Sequence, residues 1–448
     1  MKSKLFFSII IVLFPVLMQA QSWNQLGQVI VPENYTHSVG LVIEGTTPYI
    51  ALQTNSSYVI ERYTGGSWEI IGTFPTNIHD FSFDVWEGVV YCAFNNSNYE
   101  ISTMSNESGN WEYLDEPGFI KGQNMDISIG GLARPGTIEP FIAFADGNNL
   151  EKLSVMWFDG GNWEAVGGSG ISAGMVNNNT LDIEVSDQAI YVLYSDVDYN
   201  NKATLMKYYD YTWSIVGEAG FSDWVLDTYQ ALAVWNNTPY VFATKLPYGH
   251  GLVYEYSNES WEIVGSNEGI GFQSPQFKSL VCSQEGILYI AYADPALYPN
   301  NLVVKKYINN DWENVGTDVS DGQSKSILID IDTQGKPYVF YTGQGKDLGP
   351  IVKVYGNSDG LEDIQNTSLI SLSPNPANRI VKLKNNGNQR ISHYSIYDQT
   401  GRKMFTNDIE ILNGEEEEID VSFLPNGVYI VEMQAENQNY KTKLIKFQ

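Results

Sequence analysis

The sequence predicts an all-β protein: a seven-bladed β-propeller whose N-terminal strand closes the last blade, followed by a small Ig-like β-sandwich. Three observations carry this expectation. A Trp-centred motif recurs seven times along the chain, strand-like stretches precede each recurrence, and the composition, with 29 Tyr, 40 Gly and 13% aromatic residues, favours short strands and turns over helices.

In chain order, Met1-Lys2-Ser3-Lys4 leads into an apolar run from Leu5 to Met18 and then Gln19-Ala20-Gln21. A charged start, a short apolar stretch and a small residue at the boundary define a signal peptide, residues 1–20, cut after Ala20. The run is too short for a membrane span, and no later segment has the roughly 20 apolar residues a span needs.

The repeat follows. Trp23-Asn-Gln-Leu-Gly27, Trp68-Glu-Ile-Ile-Gly72, Trp111-Glu-Tyr-Leu-Asp115, Trp163-Glu-Ala-Val-Gly167, Trp213-Ser-Ile-Val-Gly217, Trp261-Glu-Ile-Val-Gly265 and Trp312-Glu-Asn-Val-Gly316 share one pattern, and only the third copy lacks the Gly. Between them lie buried-strand stretches that begin at Tyr49, Tyr91, Phe141, Tyr191, Tyr240, Tyr289 and Tyr338. Each is preceded by an apolar stretch such as Leu181-Asp-Ile-Glu-Val185 and followed by an alternating one such as Thr204–Tyr209. Each unit therefore reads as four strands, A to D, with D starting at the Trp, which is the pattern of a propeller blade. The first D strand, at Ser22–Gly27, has no A, B or C before it, and the seventh A-B-C set has no D after it. Seven blades close only if the N-terminal strand completes unit 7, which also removes the open sheet edges. The Trp is expected to cover the outer blade face and the Gly to permit the turn into the next blade.

The propeller is assigned to residues 21–358 and a polar linker to 359–368. From 369 to 448 the period is lost. Leu372-Ser-Pro374-Asn375-Pro376-Ala377, Tyr394-Ser-Ile-Tyr-Asp398-Gln-Thr-Gly401-Arg402, Ile419–Val431 with its Pro425-Asn426-Gly427 turn, and the terminal Lys441–Lys446 resemble the type A C-terminal sorting domain of the type IX secretion system. That resemblance implies passage across the outer membrane of a Gram-negative cell, handling by the secretion machinery and its sorting-domain peptidase, and release or attachment at the outer surface. The Glu415–Glu418 run reads as a solvated loop.

Only two cysteines occur, Cys92 on the B strand of unit 2 and Cys282 on the A strand of unit 6. Blades that far apart cannot bring Cα atoms within the roughly 7 Å a disulfide requires, so both are expected to be buried free thiols. The formal charge of −28 lies almost entirely in the propeller segment. Such a surface repels phosphate backbones and excludes nucleic acid as a partner.

The B-to-C and D-to-A loops share one face and carry the candidate ligand residues, rich in Asn, Asp and aromatics. Tyr199, Trp224 and Tyr298 are candidates for stacking on a glycan, and His37 and His79, just before the A strands of units 1 and 2, for a ligand or base role. Asp196 and Asp198 offer oxygen ligands to calcium without the full loop pattern, and no other cofactor is implied. No Gly-x-Ser-x-Gly, His-Glu-x-x-His or phosphate loop occurs. The expectation is a secreted or surface-held propeller that binds a glycan or protein, with a secreted glycosidase or polysaccharide lyase as the alternative.

Overall fold

A computed structural model describes residues 21–31, 35–55, 57–75, 78–130, 139–186, 188–222, 230–244, 250–266, 270, 276–294, 296–297, 300–317, 319–343, 349–356, 370–373, 377–385, 390–398, 402–412, 414–435 and 439–446. The signal-peptide and linker assignments lie outside them.

Up to Gly356 the described strands form antiparallel four-stranded units in the order A-B-C-D. Unit 1 is built from Tyr35–Glu44, Thr47–Thr54, Ser57–Thr64 and Ser67–Pro75. Units 2 and 3 join into one eight-stranded sheet through two residue pairs, Ile120 with Ile101 and Lys121 with Glu100. The expected closure is present: Ser22–Gln25 pairs with Gly349–Gly356, placing Trp23 opposite Tyr355.

Burial explains the strand compositions. All eight residues of the unit 3 B strand, Glu139–Asp146, are buried, because this strand packs on a neighbouring sheet at each face. The A strands alternate instead. In Ile78–Trp86 the side chains of Phe81, Phe83 and Val85 are buried between units, while Ser82 and Asp84 alternate with them. Apolar clusters join successive units: Phe141, Val155 and Ile183 between units 3 and 4, for example, and Ile50, Leu52 and Phe340 between units 1 and 7. The ring is held by burial between its units, and truncating one such residue costs about 2–5 kcal/mol.

The repeat's Trp does more than cover a face. In every copy but Trp163 its indole reaches the preceding unit and donates to the carbonyl of the residue just before that unit's Gly. Trp68 Nε1 donates to Leu26 O at 2.7 Å, Trp23 to Val315 O at 2.7 Å, Trp213 to Val166 O at 2.7 Å and Trp261 to Val216 O at 3.2 Å. The Gly is required twice over at Gly167: its φ is +67°, and an added Cβ would stand 2.7 Å from Trp213 Cδ1.

After residue 369 two sheets face one another: Ile370–Ser373, Ile380–Asn385 and Glu416–Asp420 form one, and Lys403–Ile411, Ile391–Asp398, Gly427–Ala435 and Asn439–Lys446 the other. Val381, Leu383 and Ile419 from the first pack with Ile396, Val431 and Met433 from the second in one core. The acidic run expected as a loop is largely strand. Glu416 and Glu418 stand opposite Lys384 and Lys382, and Lys382 Nζ lies 2.7 Å from Glu416 Oε1, so cross-strand charge pairing holds an otherwise polar strand in the sheet. Among the described residues no helix is long and apolar enough to cross a membrane.

Candidate functional site

The B-to-C loops differ from the sequence expectation in one respect: their leading acids and amides face inward. Asp196 is fully buried, and its Oδ1 accepts from Asp198 N at 3.0 Å while its Oδ2 accepts from Tyr194 Oη at 3.2 Å. Burial raises its carboxyl above the ordinary range. Asp146 is likewise buried and accepts from Asn148 N, Asn149 Nδ2 and Ser154 Oγ at 2.7–2.9 Å. These side chains shape the turns. Among the described residues no three His, Cys, Asp or Glu side chains are placed to hold a metal ion.

Of the candidate aromatics on this face, Tyr199 is exposed at the end of the short turn Val197–Tyr199. His79 is exposed and stacks on Tyr99 with ring centroids 5.4 Å apart. Phe221 instead lies flat on Trp261 at 3.9 Å and serves packing. Trp224, Tyr298 and the side chain of His37 lie outside the described residues, so the His37–His79 pairing is not part of the observed geometry. In the sorting segment Pro425, Asn426 and Gly427 are exposed, and Tyr429 Oη donates to Pro425 O at 2.8 Å. Arg402 is exposed, and Pro374, Asn375, Pro376, Gly401 and the side chain of Asp398 lie outside the described residues. Both cysteines are free, as expected; Cys92 is buried but Cys282 only half-buried.

The A-strand acids lie outside the sites predicted from the sequence. Asp84 Oδ2 accepts from Ile129 N in the next unit at 2.9 Å, Asp126 Oδ2 from Ile183 N at 3.1 Å, Asp182 Oδ2 from Leu232 N at 2.8 Å and Asp330 Oδ2 from Ile43 N at 2.6 Å. Ser279 Oγ does the same for Ile329 N at 3.1 Å. These side chains latch one innermost strand to the next. Register places them in two tiers, with Asp84, Glu184 and Asp330 opposite the first Tyr of their B strands, and Asp126 and Asp182 one pair of residues further along. Burial is the main reason their carboxyls rise, Asp84 to about 6 and Asp330 to about 7, and it raises Asp126 and Asp182 as well, the latter further by the charge of Asp126. Glu184 is raised well above the carboxylate range by burial and then by the charges of Asp182, Asp84, Asp126 and Asp330. A repeated apolar-Asp-apolar triplet, as in Phe83-Asp84-Val85 and Ile329-Asp330-Ile331, is the sequence signal that marks the latch positions.

On the opposite face, where the A-to-B and C-to-D turns lie, a cavity of about 330 Å³ opens between units 3 and 4. Phe141 and Trp157 line it from unit 3, Gln188, Tyr208, Tyr209, Asp210 and Tyr211 from unit 4. Tyr211 is 87% exposed and Tyr209 56%. Nothing in the sequence reading singled out this face.

Residues 371–447 match the family described as the secretion system C-terminal sorting domain. This type IX sorting tail marks the protein for export to the cell surface or extracellular space. No curated protein matches the sequence. Among solved structures, an Aleuria aurantia lectin variant in complex with α-methyl-L-fucoside is similar over 65% of this chain and 100% of its own, at 13% identity and a TM-score of 0.44. The α-L-arabinofuranosidase of Fusarium graminearum with arabinobiose is similar over 64% of this chain and 96% of its own, at 12% identity and a TM-score of 0.40. At such scores these likenesses carry no functional argument; the strand order defines the β-propeller class.

Proposed function

We propose that this protein is an exported binding propeller that presents its loop faces to a glycan or protein ligand outside a Gram-negative cell. In this reading residues 1–20 are the signal peptide, 21–358 a seven-bladed propeller closed by the N-terminal strand, 359–368 a linker and 369–448 an Ig-like sorting sandwich removed by the sorting peptidase. The successive four-stranded units and their cyclic apolar clusters support seven blades.

The observation that carries binding over catalysis is the use made of the channel acids. Four of the five, Asp84, Asp126, Asp182 and Asp330, are occupied in accepting backbone N–H groups across unit boundaries. A hydrolase needs a free carboxylate pair. A glycan array probed with the purified full-length protein, with and without calcium, tests this reading: specific binding supports it, and a blank array removes the glycan half. Deleting residues 365–448 tests export, since normal appearance of the truncated protein outside the cell would contradict the sorting role.

One observation favours the alternative, a secreted glycoside-cleaving enzyme. Glu184, its carboxyl raised well above the ordinary range by burial, stands two residues from Asp182 on the same strand, an acid beside a second carboxyl group. Sugar release lost on Glu184→Gln would establish it.

A further inference from the structure

We propose that the cavity between units 3 and 4 binds a single neutral pyranose ring. The inference rests on the binding reading above and assigns its site to the face opposite the long loops.

The cavity lies where unit 3 departs from its siblings at one cross-strand pair. The leading B-strand ring and its C-strand partner are Tyr49 and Arg62, Tyr91 and Ser105, Tyr191 and Lys207, Tyr240 and Glu255, Tyr289 and Lys306, and Tyr338 and Val354 in the other units. In unit 3 they are Phe141 and Trp157. In unit 4 the Tyr191 hydroxyl crosses to the following unit and donates to Asn237 O at 2.9 Å. The residue equivalent to Asn237, three before the leading B-strand ring, is Gln188 in the unit after Phe141. Phe141 has no hydroxyl to make that crossing, and the space between it and Gln188 is left open.

The rim carries a second departure. The C-to-D turn is Gly65-Gly66 in unit 1, Asn258-Glu259 in unit 5 and Asn309-Asn310 in unit 6, whereas unit 4 places Asp210 at φ 49° and Tyr211 at φ 62°. An aromatic residue in the left-handed region is strained by its Cβ against the backbone. With its side chain 87% exposed, Tyr211 recovers little of this by packing. A strained, solvent-facing ring beside a cavity is explained by what it contacts when a ligand is present.

The lining selects the ligand class. Trp157, Tyr209 and Tyr211 offer ring faces to the C–H face of a sugar, while the Gln188 amide and the Asp210 carboxylate offer hydrogen bonds to its hydroxyls. The volume suits one ring. The carboxylate at the rim and the formal charge of −28 disfavour acidic sugars, and Lys207, the nearby cation, has its ammonium over the Tyr191 and Tyr209 rings at 5.1 Å from each.

Saturation-transfer NMR on the full-length protein tests the site, using methyl glycosides of glucose, galactose, mannose, fucose and N-acetylglucosamine, with methyl glucuronide and N-acetyl-tyrosinamide for comparison. Two variants accompany it. Tyr211→Gly relieves the turn strain, and Trp157→Val installs the residue of unit 7. The expected result is transfer to ring C–H protons of at least one neutral glycoside, with affinity falling about tenfold in either variant while Tyr211→Gly melts no lower than the parent. Unchanged binding in both variants, or transfer to N-acetyl-tyrosinamide alone, overturns the assignment. No transfer to any glycoside despite a positive glycan array overturns this site and leaves the binding reading standing; failure of both removes both.

Discussion

Trp163 Nε1 donates to the hydroxyl of Thr103 at 2.9 Å, whereas its counterparts in the other units donate to a main-chain carbonyl of the preceding unit. The exception coincides with the one repeat copy that carries Asp115 in place of Gly. Without Gly at that turn the D strand of unit 2 is reduced to Glu112–Tyr113, and the threonine supplies the acceptor instead. Thr103→Val keeps the shape, removes the acceptor and leaves a buried indole N–H unpaired. A loss of about 1–3 kcal/mol is expected in denaturant unfolding, and none after Trp163→Phe is introduced on the same background.

Gly167→Ala should be among the most damaging small substitutions. It places a Cβ 2.7 Å from Trp213 Cδ1 at a φ of +67°. Backbone strain and displacement of the indole together predict a loss of about 2–4 kcal/mol. Gly335, also at positive φ but with open space around its Cβ position, should lose only the strain contribution in the same assay.

Stability should fall as pH rises. The folded-state carboxyls of Asp84, Asp330 and Glu184 lie above their unfolded values, so the folded chain binds more protons. Their contribution is fully present below about pH 4, the unfolded carboxylate range, and is lost as pH rises through about 6 to 7 and beyond. Thermal unfolding followed by circular dichroism should give a higher midpoint at pH 5.5 than at pH 8.5, and Glu184→Gln should reduce the difference. A midpoint that rises with pH would refute the channel electrostatics.

Glu61 offers a local version of the same test. It is fully buried, its Oε2 accepts from Ile30 N at 3.0 Å, its Oε1 has no hydrogen-bond partner, and burial raises its carboxyl to about 7. Glu61→Gln keeps an acceptor for Ile30 and removes the charge. It should gain about 1–3 kcal/mol at pH 8.5 and little at pH 5.

The architecture was legible because its determinants repeat. Seven Trp motifs, seven aromatic-led B strands and a D strand at the start of the chain convey strand order and closure without knowledge of any contact, and the four tail motifs convey the sorting domain. The binding chemistry was less legible. Asp196 read as an exposed oxygen ligand because composition does not distinguish a carboxylate facing solvent from one that caps its own turn. The inner-strand latches were hidden because Asp84, Asp126 and Asp182 each pair with a backbone N–H of the following unit, 45, 57 and 50 residues away, and Asp330 pairs with Ile43 N across the ring closure. The cavity escaped notice because it arises from an absence, the hydroxyl that Phe141 lacks, and such a departure has meaning only once Gln188 and Tyr211 are seen around it.

The most direct test of an exported binding propeller is to incubate the purified full-length protein with the glycans it captures on an array and to measure sugar release between pH 5 and 8. The account predicts capture with no release, unchanged by Glu184→Gln. Release of sugar that disappears in Glu184→Gln would contradict it and make the channel, with Glu184 and Asp182, an active site.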